Sequence, residues 1–233
     1  MRIVVTGATK GIGRAITEVF ATKGFDVAIC ARDESALKKL EALLKNKYPT
    51  IEVIAVTADM SLRDDVFRFA EIIKGHWETV EVLVNNAGLF LPGNVTTEPE
   101  GTLEKLIETN VYSAYYMSRA MLPLLQANDR GHIFNISSVA GLKAYPNGGS
   151  YSISKFAMTG LSKALREELN QQNIRVTTVM PGAVLTASWE GVDLPKERFI
   201  DVEDLAQLIY DCYKVSYRTV VEDLIVRPML GDL

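Results

Sequence analysis

The sequence predicts an α/β fold, one doubly wound parallel sheet of about seven strands with helices on both faces. Three observations carry this. Short β-branched runs alternate with longer helical patterns along all 233 residues. Strands joined by helices pair in parallel through right-handed crossovers. The strands also read as continuous apolar runs, as expected where helices cover both faces of a sheet.

The elements follow in order. Ile3–Val5 is the first strand, and a helix runs from about Gly13 to Lys23. Val27–Cys30 is next, then a charged helix near Glu34–Asn46 that follows Asp33. Ile51–Thr57 reads as a strand, and Ser61 with Asp64 three residues on reads as the cap of a further helix. After the Val80–Val84 strand, one long helix is expected from about Thr102 to Asn128. Its inner face carries Leu103, Leu106, Ile107, Asn110, Val111, Ala114, Tyr115 and Ser118, with a kink at Pro123. Then come strand His132–Ile136, helix Tyr151–Asn170, strand Arg175–Val179, helix Asp201–Val215 and strand Val220–Val226. No linker or repeat interrupts the pattern, so residues 1–233 are expected to form a single domain.

Composition excludes several function classes. Nearly half the residues are apolar, and the net charge of −4 comes from interspersed acids and bases without a basic block. That pattern argues against nucleic acid as a partner. The two cysteines, Cys30 and Cys212, lack metal or redox spacing and read as buried thiols of a reduced protein. No signal peptide or bilayer-spanning stretch is evident, so the expected home is the cytoplasm, with no membrane partner. His76 and His132 stand alone and are assigned neither metal nor catalytic role.

Ligands of doubly wound sheets bind at the carboxyl ends of the strands, and the chemistry-bearing segments fall there. After the first strand comes Thr6-Gly7-Ala8-Thr9-Lys10-Gly11-Ile12-Gly13. Its glycines permit a tight turn and close approach of backbone to a pyrophosphate, which meets the positive end of a helix. The spacing is Gly-x-x-x-Gly-x-Gly, and no Gly-Lys-Ser/Thr follows, so this is not a nucleotide-triphosphate loop. A Rossmann-type dinucleotide site is expected.

A second constellation lies further on. Ser138 closes a strand, and Tyr151 and Lys155 lie one helical turn apart on one face. A cation near a phenol stabilises the phenolate and brings its pKa toward neutrality, which suits proton transfer. A hydroxyl aimed at the same spot can hold an oxygen on which charge develops. The Tyr-x-x-x-Lys pair alone is weak, since Tyr210 and Lys214 match it as well. Those two lie in a late amphipathic helix without a Ser-Ser strand end upstream, and read as packing and surface residues. Ser137, one residue before Ser138, faces the other way on a strand and is the lesser alternative.

Taken together, Thr6-Gly-x-x-x-Gly-x-Gly13, Asn85-Asn86-Ala87-Gly88, Asn110, Ser138, Tyr151-x-x-x-Lys155 and Pro181-Gly182 resemble the classical short-chain dehydrogenase/reductase family, in its order and spacing. The resemblance spans positions 6 to 186 and implies hydride transfer between a nicotinamide and a carbonyl or alcohol. It makes Tyr151 the general acid/base, Ser138 the holder of the substrate oxygen and Lys155 the grip on the nicotinamide ribose. Asn110 becomes the anchor of a water that links Lys155 to solvent.

The family resemblance also assigns cofactor contacts. Gly7, Thr9, Lys10, Gly11, Ile12 and Gly13 would cradle the pyrophosphate. Asp59 would bond the adenine amino group, or else merely begin a turn. Asn86, Ala87 and Gly88 would pack the nicotinamide ribose, and Pro181, Gly182, Val184 and Thr186 would cup the nicotinamide. Where relatives that use NAD carry an Asp at the end of the second strand, this chain has Ala31. A carboxylate there repels a 2′-phosphate, whereas Arg32 next door can hold one through charge-assisted hydrogen bonds, aided by Lys10. NADP(H) is thus the preferred cofactor, with NAD(H) through Asp33 as the alternative.

Leu89-Phe90-Leu91-Pro92, Ala140-Gly141, Leu142, Tyr145, Pro146 and Trp189 are candidates for lining a substrate pocket or for packing. The expected partner is a small carbonyl or alcohol, and the resemblance implies a homodimer or homotetramer. The tail Ile225–Leu233 lacks the Asp-Gly-Gly ending of many relatives, which weakens the alternative of a 3-oxoacyl thioester reductase acting on acyl-carrier protein. A dinucleotide-binding sensor without catalysis is the alternative from another class.

Overall fold

The computed structural model describes residues 1–186, 191 and 193–233. Seven parallel strands form one sheet in the order β3-β2-β1-β4-β5-β6-β7. They are β1 (Arg2–Thr6), β2 (Asp26–Ala31), β3 (Val53–Thr57), β4 (Val82–Asn85), β5 (His132–Ile136), β6 (Arg175–Pro181) and β7 (Asp223–Val226). The helices are α1 (Gly11–Thr22), α2 (Glu34–Lys47), α3 (Arg63–His76), α4 (Thr102–Ile107), α5 (Ser113–Gln126), α6 (Gly149–Leu169) and α7 (Val202–Lys214).

Alternate residues of each strand feed two cores. Ile3, Val5, Val27 and Ile29 pack under α1, α2 and α7, against Ile16, Phe20, Leu37, Leu40, Leu205 and Ile209. Val4, Ala28, Leu83 and Ile133 face the other way, against Phe69 and Ile73 of α3 and Met117, Met121 and Leu125 of α5. Strands buried on both faces explain why their sequence is continuously apolar instead of alternating. The strand order reverses between β1 and β4, and their carboxyl ends open a cleft there.

Two expectations change. The long helix is interrupted by a π-helical turn at Glu108–Tyr112, between α4 and α5. The wider turn rotates the inner face, so Ser113, Ala114 and Met117 are buried while Tyr115 is exposed. Leu103, in the first turn of α4, is exposed as well. Helix α5 runs through Pro123 to Gln126. Ser61 does not cap α3, whose N-cap is Leu62 without a side-chain bond. Its backbone N–H and its hydroxyl both donate to Asp59 Oδ1, at 2.9 and 2.8 Å.

Asp33 does cap α2, accepting from Ala36 N at 2.9 Å. Cys30 and Cys212 are free and buried. His132 is buried beside Phe134, with ring centroids 3.9 Å apart, and burial holds its pKa well below the usual value. No helix of the described residues is long and apolar enough to cross a membrane.

Candidate active site and dinucleotide cleft

The glycine loop between β1 and α1 is built by close approach. Gly7 and Gly11 have φ of 66° and 55°, in the left-handed region that favours glycine. A Cβ on Gly13 would stand 2.3 Å from Asn86 Nδ2 and 2.5 Å from the Gly7 carbonyl oxygen. Asn86 Nδ2 donates to the carbonyl oxygens of Thr6 at 2.8 Å and Gly7 at 3.0 Å. Thr6 Oγ1 in turn accepts from the N–H groups of Asn86 and Ala87, each at 3.0 Å. The ends of β1 and β4 are thereby tied, and no side chain caps α1. Its first-turn N–H groups are left for an anion.

From this loop a cavity of about 1070 Å³ runs along the strand ends. One end is lined by Lys10, Arg32, Asp33 and Asp59, the other by Ser138, Tyr145, Tyr151 and Lys155. Thr9, Ile12, Asn86, Ala87, Gly88, Pro181, Gly182, Val184 and Thr186 line its middle, so the sequence-predicted cofactor residues share one surface. Gly13 alone stands behind it, in contact with Asn86. Thr186 reaches over the glycine loop, with Cγ2 3.1 Å from where a Gly11 Cβ would lie. Lys10 and Arg32 are exposed and form no salt bridge among the described residues. Asp33 is held by its cap on α2, and Asp59 by the Ser61 turn.

Ser138 sits between β5 and a short turn. Its Oγ accepts from Ala140 N at 3.1 Å and donates to the Pro181 carbonyl at 3.4 Å. The Ser137 hydroxyl points the other way, donating to the Lys155 carbonyl at 3.1 Å and meeting Thr159 Oγ1 at 3.1 Å. On α6, Lys155 is buried, and its Nζ donates to the Ile136 carbonyl at 2.9 Å. The same Nζ lies 5.6 Å from the centroid of the Tyr151 ring.

Burial sets the protonation of this pair. It pushes the Tyr151 phenol up to about 12, against the opposing pull of the Ser138 hydroxyl. It also brings Lys155 down to about 8. Against the expected lowering of Tyr151, burial dominates, because removing the phenolate from water costs more than its neighbours return. At neutral pH the phenol holds its proton.

Asn110 is fully buried in the π turn. Its Oδ1 accepts from Leu89 N at 2.7 Å, while Nδ2 donates to Leu89 O at 3.0 Å and to Ser154 Oγ at 2.9 Å. Both Nδ2 protons are used, so the side chain joins the β4–α4 loop to α6.

Of the candidate pocket residues, Leu89, Phe90, Tyr145 and Pro146 line the cavity, and Leu91, Pro92, Ala140, Gly141 and Leu142 do not. Trp189 lies outside the described residues. The Phe90 ring stands edge-on to Tyr151, with centroids 4.8 Å apart. Sequence reasoning missed Arg227, Asp232 and Leu233, which reach the cavity from the tail. Asp232 is anchored there by Arg227, Nε to Oδ2 at 3.0 Å. The signal available was the Pro228–Gly231 turn, but nothing in it says where the tail lands. Tyr210 does not line the cavity and packs edge-on to Phe20, with centroids 5.3 Å apart.

Comparison with known proteins shows which family the chain resembles throughout its length. A family model described as short chain dehydrogenase matches residues 1–196. A sepiapterin reductase of Chlorobaculum tepidum is 33% identical over 237 residues, covering 99% of this chain and 97% of its own. Among solved structures, an alcohol dehydrogenase from the archaeon Thermococcus sibiricus, complexed with 5-hydroxy-NADP, superposes with a TM-score of 0.91 at 27% identity. That match covers 100% of this chain and 98% of the other. L-sorbose reductase from Gluconobacter frateurii, complexed with NADPH and L-sorbose, gives a TM-score of 0.91 at 26% identity, covering 100% and 97%.

Proposed function

The chain belongs to the short-chain dehydrogenase/reductase family, and from that premise we propose that it is an NADP(H)-dependent carbonyl reductase in which Tyr151 donates the proton. As a family member it is an oxidoreductase acting on alcohol or carbonyl groups with NAD(P). The observation that carries the finer reading is a single cavity with the exposed cations Lys10 and Arg32 at one end and Ser138, Tyr151 and Lys155 at the other.

The residues present fit a dinucleotide. Glycines at 7 and 11 bring backbone to the cavity wall beside an uncapped helix start, as a pyrophosphate requires. Lys10 and Arg32 suit a 2′-phosphate, and Ala31 offers no opposing carboxylate. Asn86, Ala87, Gly88, Pro181, Gly182, Val184, Thr186 and Lys155 would hold the nicotinamide end. When bound, the dinucleotide supplies the hydride that goes to the carbonyl carbon.

The chain's own residues manage the oxygen. Ser138 Oγ–H donates a hydrogen bond to it and stabilises the charge that develops there. Tyr151 Oη passes its proton to the same atom. Burial keeps the Tyr151 phenol protonated at neutral pH, and it can still give that proton to an alkoxide, which is more basic than a phenolate. Lys155 stands close enough to stabilise the phenolate that remains. Phe90 shields the ring from water on one side.

A panel of ketoses, diketones, aldehydes, pterin ketones and acetoacetyl thioesters, each with NADPH and NADH, tests the reading. Turnover with a free carbonyl and NADPH is expected. Turnover confined to the thioesters favours the acyl-carrier alternative, and NADPH binding without any turnover favours a sensor.

A further inference from the structure

We infer that Glu98 is a positioning residue for Tyr151, closing a clamp around the first turn of α6. The inference rests on the reading of Tyr151 as proton donor. That first turn contains Gly149, Ser150 and Tyr151, and its N-cap, Gly148, contributes no side-chain bond. A reacting group in the first turn of a helix with no cap of its own sits where helices fray.

Glu98, from the loop between β4 and α4, supplies what the turn lacks. One carboxylate oxygen accepts from the Ser150 hydroxyl, and the other accepts from the Ser150 backbone N–H at 3.3 Å. A negative charge at a helix start is also favoured by the helix dipole. The loop is pressed onto the same spot by its backbone. Gly93 N donates to the Asn147 carbonyl at 2.9 Å, and Glu98 N donates to the Asn94 carbonyl at 2.9 Å. A Cβ on Gly149 would stand 2.4 Å from the Gly93 carbonyl oxygen and 2.8 Å from Glu98 Oε2.

The other end of this loop is tied to the same helical turn. Asn110 grips both backbone groups of Leu89 and donates to Ser154 Oγ, and Ser154 Oγ donates to the Tyr151 carbonyl at 2.7 Å. Between the two ties the loop carries Phe90 against the Tyr151 ring. Tyr151 is therefore held through its backbone on one side by Ser154, through its neighbour Ser150 by Glu98, and through its ring by Phe90. Removing the Glu98 tie frees one side of this frame while leaving the glycine loop and the cations untouched.

The test uses the full chain with Glu98→Ala, Glu98→Gln, Ser150→Ala and Tyr151→Phe. Glu98→Ala is expected to lower kcat about 10-fold or more, the scale on which sub-ångström misplacement acts, with NADPH affinity unchanged. Glu98→Gln keeps an acceptor for Ser150 and is expected to restore most of kcat. In the ligand-free protein, amide hydrogen exchange in the first turn of α6 is expected to quicken in Glu98→Ala and Ser150→Ala, with the rest of α6 unaltered. In the Tyr151→Phe background, Glu98→Ala should cause no further loss. A wild-type kcat in Glu98→Ala, with Tyr151→Phe inactive, overturns the Glu98 inference alone. A parallel loss of melting temperature, NADPH affinity and kcat that Gln fails to restore also overturns it. Full turnover in Tyr151→Phe instead sinks the reading on which it rests.

Discussion

Lys155 Nζ lies 5.6 Å from the centroid of the Tyr151 ring, yet burial perturbs the two groups in opposite directions. Lys155 is lowered to about 8 and Tyr151 raised to about 12. Between pH 8 and the unfolded lysine value of 10.5, the unfolded chain binds more protons at this lysine than the folded one. Stability therefore rises with pH across that window from this group. Tyr151 acts oppositely, but only above its unfolded value of 10. Lys155→Met is accordingly expected to be more stable than wild type at pH 7 in the ligand-free protein, by up to about 3 kcal/mol less the cost of orphaning the Ile136 carbonyl. The gain should shrink as pH climbs from 8 to 10. Urea denaturation across that range checks it.

Cofactor choice follows from the cations at the far end of the cavity. Arg32→Ala is expected to weaken NADPH binding about 10-fold or more, the scale of a charge-assisted hydrogen bond, and to leave NADH nearly unchanged. Fluorescence titration with both cofactors measures it. Equal weakening of both would point to Asp33 as the ribose ligand.

The glycines differ sharply in what they tolerate. Gly13→Ala forces a Cβ onto Asn86 and the Gly7 carbonyl, and is expected to cost about 1–3 kcal/mol and to impair NADPH binding. Gly160, inside α6 with open space around it, provides the control. Gly160→Ala is expected to be neutral or stabilising, by up to about 1 kcal/mol. Thermal melts of the two variants separate packing from backbone entropy.

The neighbouring serines should part in the same way. Ser138→Ala is expected to lower kcat by about 10²–10³-fold while sparing NADPH affinity, as loss of an oxyanion donor does. Ser137→Ala removes the bonds to Lys155 O and Thr159 and is expected to act mainly on stability. Steady-state kinetics and melts on both variants decide which hydroxyl serves the substrate.

Much of this was legible in sequence because its determinants are local. The glycine loop and the strand runs each declare themselves within a few residues. The orientation of Ser138 against Ser137 followed from strand alternation alone. What escaped was decided at a distance. Ser61 resembles a cap, but Asp59 holds it in a turn before α3 begins. The π turn adds a residue within a helical pattern and leaves no compositional mark. The sign of the Tyr151 shift depends on burial by Phe90 and its neighbours, which a lone Tyr-x-x-x-Lys spacing does not contain. Glu98 lay outside any motif, since its role exists only once the loop folds back onto α6.

The most direct test of proton transfer by Tyr151 is Tyr151→Phe, with carbonyl-dependent NADPH oxidation and NADPH binding measured on the same preparation. Loss of turnover by about 10²-fold or more with binding nearly intact is the expected result, as for a general acid made mute. Turnover retained at the wild-type rate would contradict it.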